Sequence, residues 1–178
     1  MTQVQERDAV DRDSESPVQI KKLGHVVFYV QDVERSVRFY TDILNFRVSD
    51  VNEQGMVFFT TCGDHHTVAI APVGTDAPEV PGRGALRMSH FAMEVEDIDA
   101  LFEIRGFLNR KGVPIRFEGR KGAGCNVGVE FDDPDGYHLE LYCSMDQIAP
   151  GSQVRPSSQW HRVKSLEEAR DNPLPTTW

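Results

Sequence analysis

Two stretches of this chain follow one plan, and that repetition limits the possible folds more than any other feature. "GHVVFYVQDVERSVRFYTDIL" opens one half and "SHFAMEVEDIDALFEIRGFL" opens the other, which sets His25 and His90 at equivalent positions. Each stretch begins with a β-type run, after which an aspartate, Asp32 or Asp97, stands at an N-cap position ahead of a helical pattern. Val33, Val37, Tyr40 and Leu44 make the apolar stripe of the first helix, and Ile98, Leu101, Phe102 and Leu108 that of the second. Three extended runs follow each helix: "FRVSDV", "GMVFFTTC" and "HHTVAIAPV" in the first half, "VPIRFEG", "NVGVEF" and "YHLELYC" in the second, with "DPDG" as the turn before the last strand. Each half therefore reads βαβββ. One such unit leaves an apolar sheet face uncovered, so two must pack together. The predicted fold is α+β, with two tandem βαβββ modules forming a concave mixed sheet. The modules are expected at residues 19–74 and 88–144, joined by a linker over 75–87. Residues 1–18 are polar, acidic and aperiodic, and read as a disordered arm. Residues 145–178 are rich in Pro, Ser and Gln, and are expected to form an extended surface tail with a short helix near "SLEEAR".

Charge and hydropathy narrow the functional classes. A formal net charge of -9, with no basic cluster denser than "RKGVPIR", would repel phosphate backbones, so nucleic acid is not an expected partner. No apolar run approaches the roughly 18 to 20 residues that span a bilayer, and the N-terminal stretch lacks the apolar core of a signal peptide. The expectation is a cytoplasmic protein with no membrane partner. Cys62, Cys125 and Cys143 share no C-x-x-C spacing and lie in or beside apolar stretches, so all three are expected to be buried thiols in a reducing compartment.

Strand alternation puts His25, Val27 and Tyr29 on one face, and His90, Ala92 and Glu94 on the equivalent face of the second half. Pseudo-symmetry then lets the two histidines face each other across the sheet. In "YHLELYC", Glu140 shares a face with His138 and Tyr142, while Leu139, Leu141 and Cys143 take the other. A carboxylate in so apolar a strand must be paired or metal-bound, because burying it alone costs several kcal/mol or shifts its pKa. Its first-half counterpart is Ala69, so the constellation is His, His, Glu rather than a doubled set. Two imidazoles and one carboxylate on one face of a metal leave the opposite positions open, as in non-haem Fe(II) oxygenases.

From about Leu23 to Tyr142 the chain resembles the vicinal oxygen chelate superfamily (glyoxalase, bleomycin resistance protein, extradiol dioxygenase), and within it the type I extradiol ring-cleaving dioxygenases. "LGHVVFYVQDVERSVRFYTDILNFRVSD", "DHHTVAIAP", "SHFAMEVEDID" and "DPDGYHLELY" carry the resemblance. It implies that His25, His90 and Glu140 bind Fe(II), or less often Mn(II), and that a catechol-type diol is cleaved with O2. It also implies an acid/base histidine at His66 rather than its neighbour His65. Alternation sends His65 to the face of Thr67 and Ala69, which conflicts with an inward Ala69 unless a bulge or frayed strand start intervenes. Val27, His65 and Tyr142 are expected at the substrate, with Tyr29, Phe91 and Phe131 as candidates for the pocket wall that could equally be core. A homo-oligomer is the expectation for a soluble enzyme of this kind.

The chain departs from the family pattern at two places. It reads "GRKGAGCN" where extradiol enzymes show "GRH", setting Lys121 in place of a histidine. It offers Glu130 in "VEFDDPDG" where they carry a tyrosine. Lys121 is open between a solvated side chain and a group compensating a bound phenolate. Glu130 is open between an outward residue, a base and a salt-bridge partner of Lys121. Two other readings stand beside the dioxygenase: a metal-dependent glyoxalase-type lyase, isomerase or epimerase, and a metal-free aromatic-binding resistance protein. The C-terminal stretch, with Trp160 and His161, is open between covering the pocket or a partner subunit and free disorder.

Overall fold

In the computed structural model, which describes residues 17, 18, 20–78, 80, 81, 85–149 and 153–177, each half folds as βαβββ. The first module comprises β1 (Val26–Val30), α1 (Val33–Asp42), β2 (Arg47–Val51), β3 (Val57–Thr60) and β4 (Val68–Pro72). The second comprises β5 (Phe91–Glu94), α2 (Ile98–Lys111), β6 (Ile115–Arg120), β7 (Val127–Asp132) and β8 (His138–Cys143). Each makes its own four-stranded sheet, in orders β1-β4-β3-β2 and β5-β8-β7-β6. The first strand runs parallel to the last in each sheet, and the remaining pairs are antiparallel, so both sheets are mixed. The expected arm over 1–18 lies almost wholly outside the described residues.

Both predicted caps form: Asp32 accepts the Arg35 amide and Asp97 the Ala100 amide, each at 2.9 Å. Gly112 closes α2 in the left-handed region (φ 71°), where its amide reaches the Leu108 and Asn109 carbonyls. The two modules share one core. Phe28, Tyr40, Phe59 and Ile70 of the first meet Leu101, Leu108, Phe131 and Leu139 of the second, all buried. Phe131 is therefore core, and Phe91 packs on Phe28 at 5.7 Å between ring centroids. The "DPDG" turn fastens the modules as well as reversing the chain. Asp135 accepts from the Gln31 amide, the Arg35 guanidinium and the Ser36 hydroxyl, while the Tyr40 hydroxyl donates to buried Asp133 at 2.8 Å.

Two expectations are corrected. Cys62 is exposed, whereas Cys125 and Cys143 are buried, because Cys62 falls in the turn beyond β3 where the apolar run has already left the sheet. The C-terminal stretch does not merely lie on the surface. The predicted helix, α3 (Leu166–Asp171), buries Leu166 and Ala169 in the common core. Its approach is held by a backbone bridge between Arg120 and Val163, with both N–H to O distances at 3.0 Å. The fully buried Arg120 guanidinium donates to the carbonyls of Cys125, His161 and Asn172. A sequence pattern shows polar composition along this strap but not that one upstream arginine satisfies its backbone.

Candidate metal and substrate site

The faces turned away from the common core carry the polar residues of interest. In β8 the odd positions Leu139, Leu141 and Cys143 are buried in the core, so Glu140 faces the other way, yet it is only 8% exposed. Strand register pairs Val27 with Ala69 and Ala92 with Glu140, which makes Ala69 the structural counterpart of Glu140, as the sequence alignment of the halves expects.

Glu140 Oε2 lies 3.3 Å from His90 Nε2, and its Oε1 accepts from the Asn126 side-chain amide at 2.7 Å. Directly opposite in the β7–β8 ladder stands a second carboxylate, Glu130. Burial and that neighbouring charge push the Glu140 pKa up, against the opposing pull of His90 and Asn126. Gly128 makes room for the carboxylate: a Cβ there would fall 2.5 Å from Glu140 Oε1. Glu130, also buried, takes the salt-bridge role, with Lys121 Nζ at 2.5 Å and His138 Nε2 at 2.9 Å. His138 Nδ1 in turn meets Asp132 at 2.9 Å, so one imidazole spans two carboxylates.

His25 sits elsewhere. Its ring lies 4.8 Å from that of His66, which also contacts Phe58 at 5.1 Å. His65 is exposed, its Nδ1 3.1 Å from that of His66, and is turned toward Asp50. Both histidines precede β4 in irregular chain, so strict alternation does not govern them, and His66 is the one against His25. Val27 and Tyr29, on the face of His25, are 46% and 63% exposed. Tyr142 is half-buried along β8 from Glu140, and burial raises its pKa.

The expected site residues thus form two groups, His25 with His66 and His65, and His90 with Glu140, Glu130 and Lys121. Among the described residues no three His, Cys, Asp or Glu side chains gather into a metal-holding cluster. His90 and Glu140 fit two adjacent ligand positions of a divalent cation: one imidazole and one carboxylate already in contact, with excess acidic charge behind them. Among the described residues no third His, Cys, Asp or Glu joins them.

Beside His90 and Glu140 opens a cavity of about 360 Å³, also lined by Lys121, Phe117, Asn126 and Trp160. Asn126, His138 and Phe117 were not among the expected site residues. Asn126 is legible in principle, since it alternates with Gly128 and Glu130. Phe117 is not, because an irregularity between Ile115 and Phe117 breaks the alternation of β6.

A protein-family model described as the Glyoxalase/Bleomycin resistance protein/Dioxygenase superfamily matches residues 22–141. A biphenyl-2,3-diol 1,2-dioxygenase of Metapseudomonas furukawaii is 39% identical over 85 residues, covering 43% of this chain and 25% of the relative. The matched part of the chain therefore spans about a quarter of that relative's length. The metallothiol transferase FosB of Staphylococcus saprophyticus is 25% identical over 158 residues, covering 86% of this chain and 98% of the relative. A solved glyoxylase/bleomycin resistance protein/dioxygenase domain from Frankia superposes with a TM-score of 0.60 at 18% identity, covering 70% of this chain and 98% of that one, which speaks for the fold alone.

Proposed function

The chain belongs to the glyoxalase/bleomycin resistance protein/dioxygenase superfamily, and we propose that within it this protein is an Fe(II)-dependent extradiol dioxygenase cleaving a catechol-type aromatic with O2. The observation that carries this reading is that a carboxylate stands at only one of the two pseudo-equivalent strand positions, while the neighbouring Glu130 is taken up by Lys121 and His138. Glu140 is buried against His90 while its counterpart is Ala69, so that position offers no fourth ligand, and a set of three donors would leave room for both oxygens of a diol and for O2. A bound ferrous ion would supply electron transfer between the chelated diol and O2, which neither undergoes alone; Mn(II) is the second candidate metal.

His90 and Glu140 hold the metal from one chain, and His25 of a second copy completes the set. β1, which His25 immediately precedes, leaves Val27 and Tyr29 exposed, and apolar surface of that kind is covered by assembly. A two-fold pairing that sets this surface against the His90 and Glu140 face buries it and joins the half-sites. His66, in contact with His25, then reaches the diol as the acid/base group that takes a phenolic proton and returns it as the ring opens. Lys121 is held by Glu130 at the cavity edge and offsets negative charge on the bound phenolate. Val27 and Tyr142 are proposed to shape the substrate side, with the exposed His65 at its rim.

A second reading, a metal-dependent lyase or isomerase of the glyoxalase kind, draws support from the alignment over 98% of a small metallothiol transferase. Oxygen uptake separates the two. Fe(II)-loaded protein and a panel of catechols are expected to consume equal amounts of O2 and diol, with a new visible absorption band, and His90→Ala loses both. Tight metal binding without oxygen uptake would move the lyase or isomerase to first place.

A further inference from the structure

The strap after β8 carries an aromatic side chain into the cavity. Trp160 lines it together with His90, Glu140, Phe117 and Lys121. The indole is fixed from the remaining sides. Its Nε1 donates to the Arg155 carbonyl at 3.1 Å, and Arg155 is itself buried and paired in a fork with Asp146. The Arg162 guanidinium lies 4.8 Å from the ring centroid. Gly122 lies under the six-membered ring so closely that a Cβ there would come within 2.9 Å of Trp160 Cε3. The chain around it is anchored by Arg120, which donates to the carbonyl of the next residue, His161, at 3.0 Å. A large ring so held loses little conformational freedom when a ligand packs on it.

We infer that Trp160 is the specificity-determining wall of the cavity at His90 and Glu140, the surface on which a planar aromatic ring with adjacent oxygens packs in preference to a saturated one. The ring of the ligand packs against the indole, in a cavity that Phe117 and Lys121 also line, the Lys121 ammonium lying 4.7 Å from the Phe117 ring centroid. Arg120 and Gly122 are positioning residues that set the indole's height. The substrate class rests on the dioxygenase reading; the position of the wall does not.

The sequence has two tryptophans, so Trp178→Phe leaves Trp160 as sole reporter in the full chain. Titration with catechol and with cyclohexane-1,2-diol is followed by fluorescence and calorimetry, with and without Zn(II), which supports no O2 chemistry. Catechol is expected to quench Trp160 saturably and the saturated diol to leave it unchanged. In Trp160→Ala, calorimetric affinity for catechol falls about tenfold, as for loss of an aromatic contact, and the preference for catechol over cyclohexane-1,2-diol is lost. Gly122→Ala, which tilts the indole without removing it, shifts the preference in the same direction. Absence of quenching by any catechol, or an unchanged preference in both variants, overturns the assignment. Oxygen uptake without quenching would sink only this inference, whereas quenching without oxygen uptake would leave it standing and sink the dioxygenase.

Discussion

Replacing Gly119 by alanine tests whether the C-terminal strap is an integral part of the second module. Gly119 has φ of 121°, a region that residues with a Cβ enter at a cost of about 1–3 kcal/mol. The added Cβ would also lie 2.4 Å from the Val163 carbonyl oxygen and 3.0 Å from the Ser165 amide, backbone atoms that cannot turn aside. Relief requires moving the strap, which breaks the two Arg120–Val163 backbone hydrogen bonds, worth about 1 kcal/mol each. The expected loss is about 3–5 kcal/mol. Gly136→Ala is the internal control, because its φ of 87° carries the conformational penalty while nothing lies within 4 Å of the new Cβ; it should cost only about 1–2 kcal/mol. Urea unfolding of both variants gives the difference. Amide hydrogen exchange then locates it, with protection lost at Arg120 and Val163 in Gly119→Ala alone. Equal stability of the two variants, or unchanged exchange at Val163, would refute the reasoning.

His66→Ala should lower kcat on a catechol about a hundredfold or more, the usual contribution of a positioned acid/base, while metal content stays at the wild-type level. Elemental analysis beside the rate assay separates this from loss of metal. Burial raises the Asp133 pKa, and the Tyr40 hydroxyl opposes that rise by donating to the carboxylate. A raised carboxylate pKa means that stability is lost as pH climbs through the folded value. Tyr40→Phe raises that value further, so the variant should be less stable by about 1.5–3 kcal/mol at neutral pH. The deficit should narrow as pH falls through the Asp133 range, where both proteins hold the proton. Tm against pH, with the Asp133 carboxyl followed by NMR, checks both the sign and the window.

The fold was legible because it is stated twice. Asp32 and Asp97 mark both helix starts, and the alternation of β8 identifies Glu140 as the odd residue in an apolar strand. Equivalent positions of His25 and His90 are likewise visible in the repeat. What periodicity cannot carry is the packing of one module on the other. The halves meet through Phe28, Tyr40 and Phe131, and His25 lies against His66, while among the described residues no third His, Cys, Asp or Glu joins His90 and Glu140 in a metal-holding group. The strap is hidden from a sequence pattern for a related reason. Its composition is polar, but Leu166 and Ala169 suffice to dock a six-residue helix once Arg120 has satisfied the carbonyls along it. Lys121 and Glu130, which stand where the family pattern has other residues, turn out to be partners of one another, a pairing that spacing alone left open.

The most direct test of a metal centre shared between copies is subunit complementation. His25→Ala and Glu140→Ala are prepared separately, each expected to lack tight metal binding and oxygen uptake, then mixed under conditions that exchange subunits and loaded with Fe(II). If His25 is supplied across a two-fold interface, each mixed dimer regains one intact site, and random exchange restores about a quarter of the wild-type metal sites and of the catechol-dependent oxygen uptake. If the mixture stays as inactive as its parents although subunit exchange is demonstrated, the three ligands do not come from two copies and the shared centre is wrong.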